Sequence, residues 1–325
     1  MSFTEAVVAI TLNCNARCVM CNIWQNKIKG EVAPDFYSRL PSSLKEINIT
    51  GGEPFLRSDL PEIVTVMKKR CPQARLLINT NGYLTSHIKK IFPKVLKADP
   101  NIAMRVSIDG MGQMHTDIRG LPRFYENAVE TLRYFKSAGV SDVGISYTLM
   151  AQNKDELLKL YTLCEENGYE FSITVASDSP IYFGKGKMKL RPKSDEKLKS
   201  IFKEFIDRQS SSLNPKSWIR AWFSSKLEEY IKTNTRHFTC DAGQSFFYLD
   251  SVGMVYACHL KPWKVGDLKT QSFDELQFLK FKKNVEACND CWMVCSARSA
   301  IKKHMGEVLM DVALHKLHIR SLQKP

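Results

Sequence analysis

No stretch of this 325-residue chain is long and apolar enough to cross a bilayer. The first residues, MSFTEAVVAITLNCNARC, lack the basic segment and small-residue cleavage site of a secretory signal, so the cytoplasm is the expected location. Internal repeats and low-complexity segments are missing too, which excludes solenoid and fibrous architectures. Negative charge is scarce: 34 Asp and Glu stand against 47 Lys and Arg, a formal net charge of +13. Residues 182–232 alone hold 13 Lys and Arg against 6 Asp and Glu. A solvated, lysine-rich helical face accounts for this, and so does a surface that meets an anionic substrate or partner. The charge makes a nucleic-acid-modifying enzyme an alternative, but no recognised RNA-binding module accompanies it, so nucleic acid is not the expected partner.

What is present reads as an ordinary globular protein with 44% hydrophobic residues, long enough for one large domain and a smaller one. Apolar, β-branched runs fall at Ala6–Leu12, Leu44–Thr50, Arg75–Thr80, Ala103–Ile108, Asp142–Leu149 and Glu170–Ala176. Helical patterns lie between them at Asp59–Arg70, Leu84–Leu96, Pro122–Ala138 and Asn153–Asn167. Asn153 and Glu156 have capping-box spacing, and Gly139 and Gly168 stand where helix C-caps belong. Strands separated by helices imply parallel βαβ units. Six strands do not complete an eight-fold barrel, so the expected fold is α/β: a partial (βα)6 TIM-like barrel followed by a small C-terminal α+β domain. The alternation stops near residue 180. Residues 181–192 read as a loop, helices are expected at about 194–208 and 217–232, and a second unit begins near Arg236. The expected domains are therefore 1–232 and 233–325. Apolar residues at 301, 305, 308, 312 and 319 suit an amphipathic tail helix.

The ten cysteines are clustered rather than scattered. Cys14, Cys18 and Cys21 form C-x3-C-x2-C directly after the first strand, where the active sites of barrels lie. Thiolates ligate iron–sulfur clusters, and three of them leave one iron of a cubane open to a non-protein ligand. Structural zinc usually takes four ligands, and no fourth Cys or His lies nearby in sequence.

At this point the chain resembles the radical S-adenosylmethionine (SAM) superfamily. CNARCVMC is similar to its signature, with Met20 where an aromatic residue often stands; a methionine can still pack on an adenine ring. Thr50-Gly51-Gly52-Glu53-Pro54 resembles the GGEP motif, Thr80-Asn81-Gly82 the close of the third strand, and Val106-Ser107-Ile108-Asp109-Gly110 the end of the fourth. His115-x3-Arg119 is similar to the loop that follows. The resemblance covers roughly residues 6–180. It implies a [4Fe–4S] cluster on Cys14, Cys18 and Cys21, and SAM bound by Gly51, Gly52, Glu53, Ser107, Asp109 and Arg119. The glycines would let backbone and ligand approach closely.

The second block, C-x12-G-x4-C at Cys240–Gly253–Cys258 and then Cys288, Cys291 and Cys295, resembles the SPASM auxiliary-cluster domain or its shortened Twitch form. Phe246–Leu249 and Gly253–Ala257 read as a hairpin, and Ser272 with Glu275 as a helix cap. Five cysteines cannot fully ligate two cubanes. The resemblance thus implies one auxiliary [4Fe–4S] cluster on Cys240, Cys258, Cys288 and Cys291, and two clusters in all. Cys295 would replace one ligand or remain a free thiol, its pKa lowered by a helix N-terminus. A four-cysteine zinc site is the competing reading. Cys71 and Cys164 read as inert buried residues, His259 as structural, and Trp218 and Trp222 as core or domain-interface residues.

The family chemistry implied is one-electron cleavage of SAM to a 5′-deoxyadenosyl radical that abstracts a substrate hydrogen, giving an oxidoreductase or an epimerase. A flavodoxin- or ferredoxin-type donor would supply the electron. Related enzymes with a short auxiliary domain modify sugars or peptides. Peptide-modifying members often carry a leader-binding segment before the barrel. The first strand here begins at about Ala6, which favours a small polar or anionic substrate such as a sugar or sugar nucleotide.

Overall fold

The computed structural model describes residues 3–25 and 30–322, without the side chains of 315–322. Among the described residues nine strands form one sheet in the order β6-β5-β4-β3-β2-β1-β7-β8-β9. Strands β1 (Glu5–Thr11), β2 (Glu46–Gly51), β3 (Arg75–Thr80), β4 (Ala103–Ser107), β5 (Val143–Leu149) and β6 (Glu170–Val175) are parallel neighbours in sequence order. Between them run α1 (Leu60–Arg70), α2 (Thr85–Ala98), α3 (Gln113–Arg119), α4 (Phe124–Ser137) and α5 (Leu157–Asn167). This is the partial six-stranded barrel the spacing predicts.

Burial along the strands follows from their place in the sheet. β1, flanked by β2 and β7 (Phe246–Leu249), is buried at every residue because both its faces are covered: Ala6, Val8 and Ile10 lie in the main core, and Val7 and Ala9 pack with Tyr182 and Tyr248. β3 and β6 alternate buried and half-buried positions. Their buried residues, such as Leu76, Ile78, Phe171 and Ile173, pack into the main core. Leu60, Ile63, Val64 and Met67 turn the apolar stripe of α1 onto that layer, each contributing roughly 1.5–3 kcal/mol of burial. The half-buried positions, including Asn79, Ser146, Thr148 and Thr174, face the barrel interior.

Two local expectations are corrected. Asn153 does not cap α5. Its carboxamide oxygen accepts from Met150 N–H at 2.7 Å and its amide donates to Asp109 O at 2.8 Å, so a 3-10 turn over Ala151–Glu156 precedes the helix. Glu156 instead accepts from Met111 N–H at 2.6 Å. The tail is two helices, α9 (Val294–Lys303) and α10 (Met305–Leu322), broken at His304. The side chain of Ile319, counted in the tail's apolar face, lies outside the described residues. The Ser272–Glu275 capping box is present but serves only a single 3-10 turn.

After β6, α6 (Glu196–Ser211) and α7 (Pro215–Thr233) pack beside the open side of the barrel. The chain then returns to the sheet. β7 pairs in parallel with β1, Glu5 opposite Phe246, and β8 (Met254–Tyr256) and β9 (Lys264–Asp267) continue it antiparallel. The expected β7–β8 hairpin is thus an extension of the barrel sheet. α8 (Lys282–Glu286) and α9 follow, and α9 brings Cys295 back to the barrel mouth.

Candidate active site

A cavity of about 260 Å³ opens at the C-terminal ends of the parallel strands. Cys14, Cys18 and Cys21 lie on its wall, in the loop that leaves β1. Each thiol has a donor beside it. Asn81 Nδ2 stands 3.9 Å from Cys14 Sγ, Arg119 Nη1 3.5 Å from Cys18 Sγ, and Ile23 N–H 3.5 Å from Cys21 Sγ. Burial pushes the Cys14 and Cys21 thiols up to about 12 and raises Cys18 as well. Such thiols shed their protons to iron rather than to water. No three His, Cys, Asp or Glu groups among the described residues converge on a single-ion position. Three cysteines with N–H donors, on a wall with space beside them, fit an iron–sulfur cluster with an open coordination position.

Gly51, Gly52, Ser107 and Arg119 line the same cavity, whereas Glu53 and Asp109 do not. Both carboxylates are fully buried behind the wall. Glu53 accepts from Asn81 N–H and Thr80 Oγ1, each at 2.7 Å, and from Phe55 N–H at 3.1 Å. It thereby holds the loop that presents Asn81 to Cys14. Burial outweighs these bonds and pushes the Glu53 carboxyl up to about 7. Asp109 accepts Thr148 N–H at 2.8 Å and Arg119 Nε at 2.7 Å. Burial opposes the Arg119 charge, but Asp109 and Cys18 together outweigh it, holding the guanidinium above its usual range. Arg119 is therefore a clamped cation aimed at Cys18. Asp109 and Glu53 position the wall from behind it.

The glycines also have a reason beyond ligand approach. A Cβ on Gly51 would sit 2.0 Å from the carbonyl oxygen of Thr11, and one on Gly52 2.0 Å from that of Asn13. Those carbonyls accept from Gly52 N–H and Glu53 N–H, each at 2.8 Å. The glycine pair is thus demanded by the cysteine loop folding onto β2. Sequence reading missed Tyr182, which comes from the expected loop. Its hydroxyl donates to Gly51 O at 2.7 Å, accepts from Gly51 N–H at 3.1 Å and lies 3.0 Å from Thr50 Oγ1. Only a partner 131 residues away discloses that role.

The second cysteine set gathers in a cluster of its own. Cys240, Cys258 and Cys291 are buried in one small cluster with Ala242, Phe246 and Leu260. Leu260 N–H stands 3.3 Å from Cys258 Sγ. Arg236, also missed from sequence, places Nη1 3.6 Å from Cys291 Sγ. Burial works against its charge, but Cys240, Cys291, Cys288 and Cys258 together hold the guanidinium above its usual range. These four thiols, gathered around one buried cation, fit the auxiliary cluster. Cys295 does something else: with His259 and Met293 it lines the first cavity. Burial pushes its thiol up to about 12, so the expected lowering by a helix N-terminus is overturned. Cys71 and Cys164 are buried far from this wall in the main core, and Trp222 stacks on Phe238.

The radical SAM superfamily model matches residues 8–164, and the iron–sulfur cluster-binding SPASM model matches residues 240–292. The chain belongs to the radical SAM superfamily. It carries a SPASM domain and is an enzyme. When bound, the two cofactor types supply reductive cleavage of SAM and a site for one-electron transfer. Among curated relatives, Fe-coproporphyrin III synthase of Methanosarcina barkeri is 29% identical over 164 residues, 48% of this chain and 40% of that protein. AdoMet-dependent heme synthase of the same organism is 26% identical over 288 residues, 82% of this chain and 80% of that one. The solved structure of anSMEcpe with bound AdoMet and the Cp18Cys peptide has the same fold, with a TM-score of 0.63 at 16% identity, covering 95% of this chain and 99% of that one. No helix among the described residues is long and apolar enough to cross a membrane.

Proposed function

We propose that this radical SAM enzyme is an oxidoreductase that abstracts hydrogen from a small polar substrate such as a sugar or sugar nucleotide. The observation that carries this reading is the composition of the cavity wall. Besides the cysteines the wall offers neutral hydroxyls and amides: Asn48, Asn79, Ser146, Thr148, Thr174 and Ser177. The Thr174 hydroxyl and His259 Nδ1 are buried without partners. Hydrogen-bonding groups of this kind suit substrate hydroxyls. Among the described residues Arg119 is the one cationic side chain on the wall, and Asp109 already pairs it. A carboxylate-bearing macrocycle of the kind the relatives' names suggest would find no free cation there. Beside the cysteine loop, Lys187 Nζ donates to Val19 O at 2.8 Å, and Arg17 is exposed. A diphosphate next to that loop would draw them from the backbone carbonyls they now hold.

A second reading is a peptide substrate. The fold is shared with a structure that holds a peptide, and the Asn48 and Asn79 carboxamides suit backbone amides as well as hydroxyls. The test is turnover of reconstituted enzyme with SAM and a one-electron reductant, using ring-deuterated sugar nucleotides and deuterated peptides. Deuterium in 5′-deoxyadenosine from a sugar nucleotide supports the first reading. Deuterium transferred only from peptides replaces it with the second.

A further inference from the structure

A second cavity, of about 460 Å³, lies between the β6 edge and the helices α7 and α9. It reaches the inner face of the barrel near the N-terminal ends of β2 and β3, at Glu46, Arg75 and Leu77. A hydrogen-bonded polar layer above it, Ser146 Oγ to Asn79 Oδ1 at 3.3 Å and Asn79 to Asn48, belongs to the wall of the SAM cavity. The two cavities share no lining residue.

Six cations line it: Arg75, Arg105, Lys216, Arg220, Arg298 and Lys302. Their carboxylate partners are four: Glu5, Glu46, Asp142 and Glu170. Each carboxylate is shared by two cations, and two positive charges remain uncompensated. Between the cations the walls are apolar, with Leu77, Ile219, Phe223 and Ile301. β6 has a sheet partner on one side only, so its other edge adds backbone hydrogen-bonding groups. We infer that this cavity is a binding site for an amphiphilic organic anion, its acidic head among Arg105, Lys216 and Arg220 and its apolar body against Ile219 and Phe223. Burial holds Lys216 and Arg220 below their usual ranges, and the neighbouring Arg105 adds to this. An anion there relieves both effects. Lys216 and Arg220 belong to the basic stretch 182–232, so part of its charge excess lines this pocket, Arg220 half-buried in its wall and Lys216 at its exposed rim.

Calorimetric titration of cluster-loaded, SAM-saturated enzyme with 8-anilinonaphthalene-1-sulfonate tests the site, since SAM fills the other cavity. One saturable site per chain is expected. It should be at least tenfold weaker for the uncharged N-phenyl-1-naphthylamine and displaced by dodecanoate. Lys216→Gln with Arg220→Gln should weaken it at least tenfold while SAM cleavage continues. Ser172→Phe, which fills the cavity without touching its charge, should abolish it in a protein that melts as the wild type does. Absence of a saturable site overturns the inference. So does equal binding of the uncharged probe, or binding unchanged in both variants. Displacement by citrate but not by dodecanoate overturns the amphiphilic ligand class.

Discussion

Cys295 Sγ lies 4.0 Å from His259 Nε2, and both side chains face the cavity that holds Cys14, Cys18 and Cys21. One residue of the pair adjoins the auxiliary ligand candidate Cys258, and the other lies four residues past Cys291. The pair therefore joins the second cysteine set to the cavity of the first. Cys295→Ser is expected to keep full iron and sulfide content and to keep forming 5′-deoxyadenosine, because the thiol faces the cavity instead of Arg236. Cys291→Ser should lose auxiliary iron. Iron counting on both variants decides the matter, and loss of iron in Cys295→Ser would make that residue a ligand.

Arg119 and Asp109 form a buried ion pair with an Nη2–Oδ2 distance of 2.5 Å. Removing one member strands the other charge, which typically costs about 3–5 kcal/mol. Asp109→Ala should lower stability by about that amount in denaturant titration. Arg119→Met should instead retain iron and shift the cluster potential downward, since a positive donor beside Cys18 stabilises the reduced, more negative cluster. A shift of about 59 mV corresponds to a tenfold change for a one-electron couple. An unchanged potential would remove Arg119 from that role.

Glu53 sets a pH dependence. Its folded-state pKa is raised to about 7 by burial, above the usual carboxyl value of 4.5. Between those values the folded state binds more protons than the unfolded one, so stability falls as pH rises through the window. The difference amounts to about 3 kcal/mol. Melting of wild type and Glu53→Gln between pH 4.5 and 8 should show this decline in the wild type alone, whatever the baseline cost of the substitution. Parallel pH profiles would refute the burial argument.

Gly52→Ala tests why the glycine pair is there. The added methyl meets the Asn13 carbonyl at 2.0 Å, so the cysteine loop must move off β2. A cost of roughly 3 kcal/mol or more is expected even without SAM or iron. If the apo-protein melts unchanged and only SAM affinity falls, the glycine serves the ligand instead.

The chain pattern alone disclosed the six parallel strands, the helices that follow β2 to β5 and both cysteine sets, because these depend on local periodicity and spacing. Parallel strands buried on both faces read as continuous apolar runs, and C-x3-C-x2-C needs only one loop. Gly51, Gly52, Ser107 and Arg119 were likewise legible as parts of short motifs at strand ends. Folding decided everything that depends on contacts across the chain. It placed Glu53 and Asp109 behind the wall, where burial and backbone donors hold them, although their motifs look the same in either position. It brought Tyr182 to Gly51, Arg236 to Cys291 and Cys295 to the cavity of Cys14, Cys18 and Cys21, pairings separated by 131, 55 and more than 270 residues. It also set Arg220 of the basic stretch half-buried against Glu170 on the β6 edge, with Lys216 at the exposed rim. Net charge fixes the amount of positive field in a segment, but only the packing of α7 and α9 against the open barrel gives that field a cavity to act in.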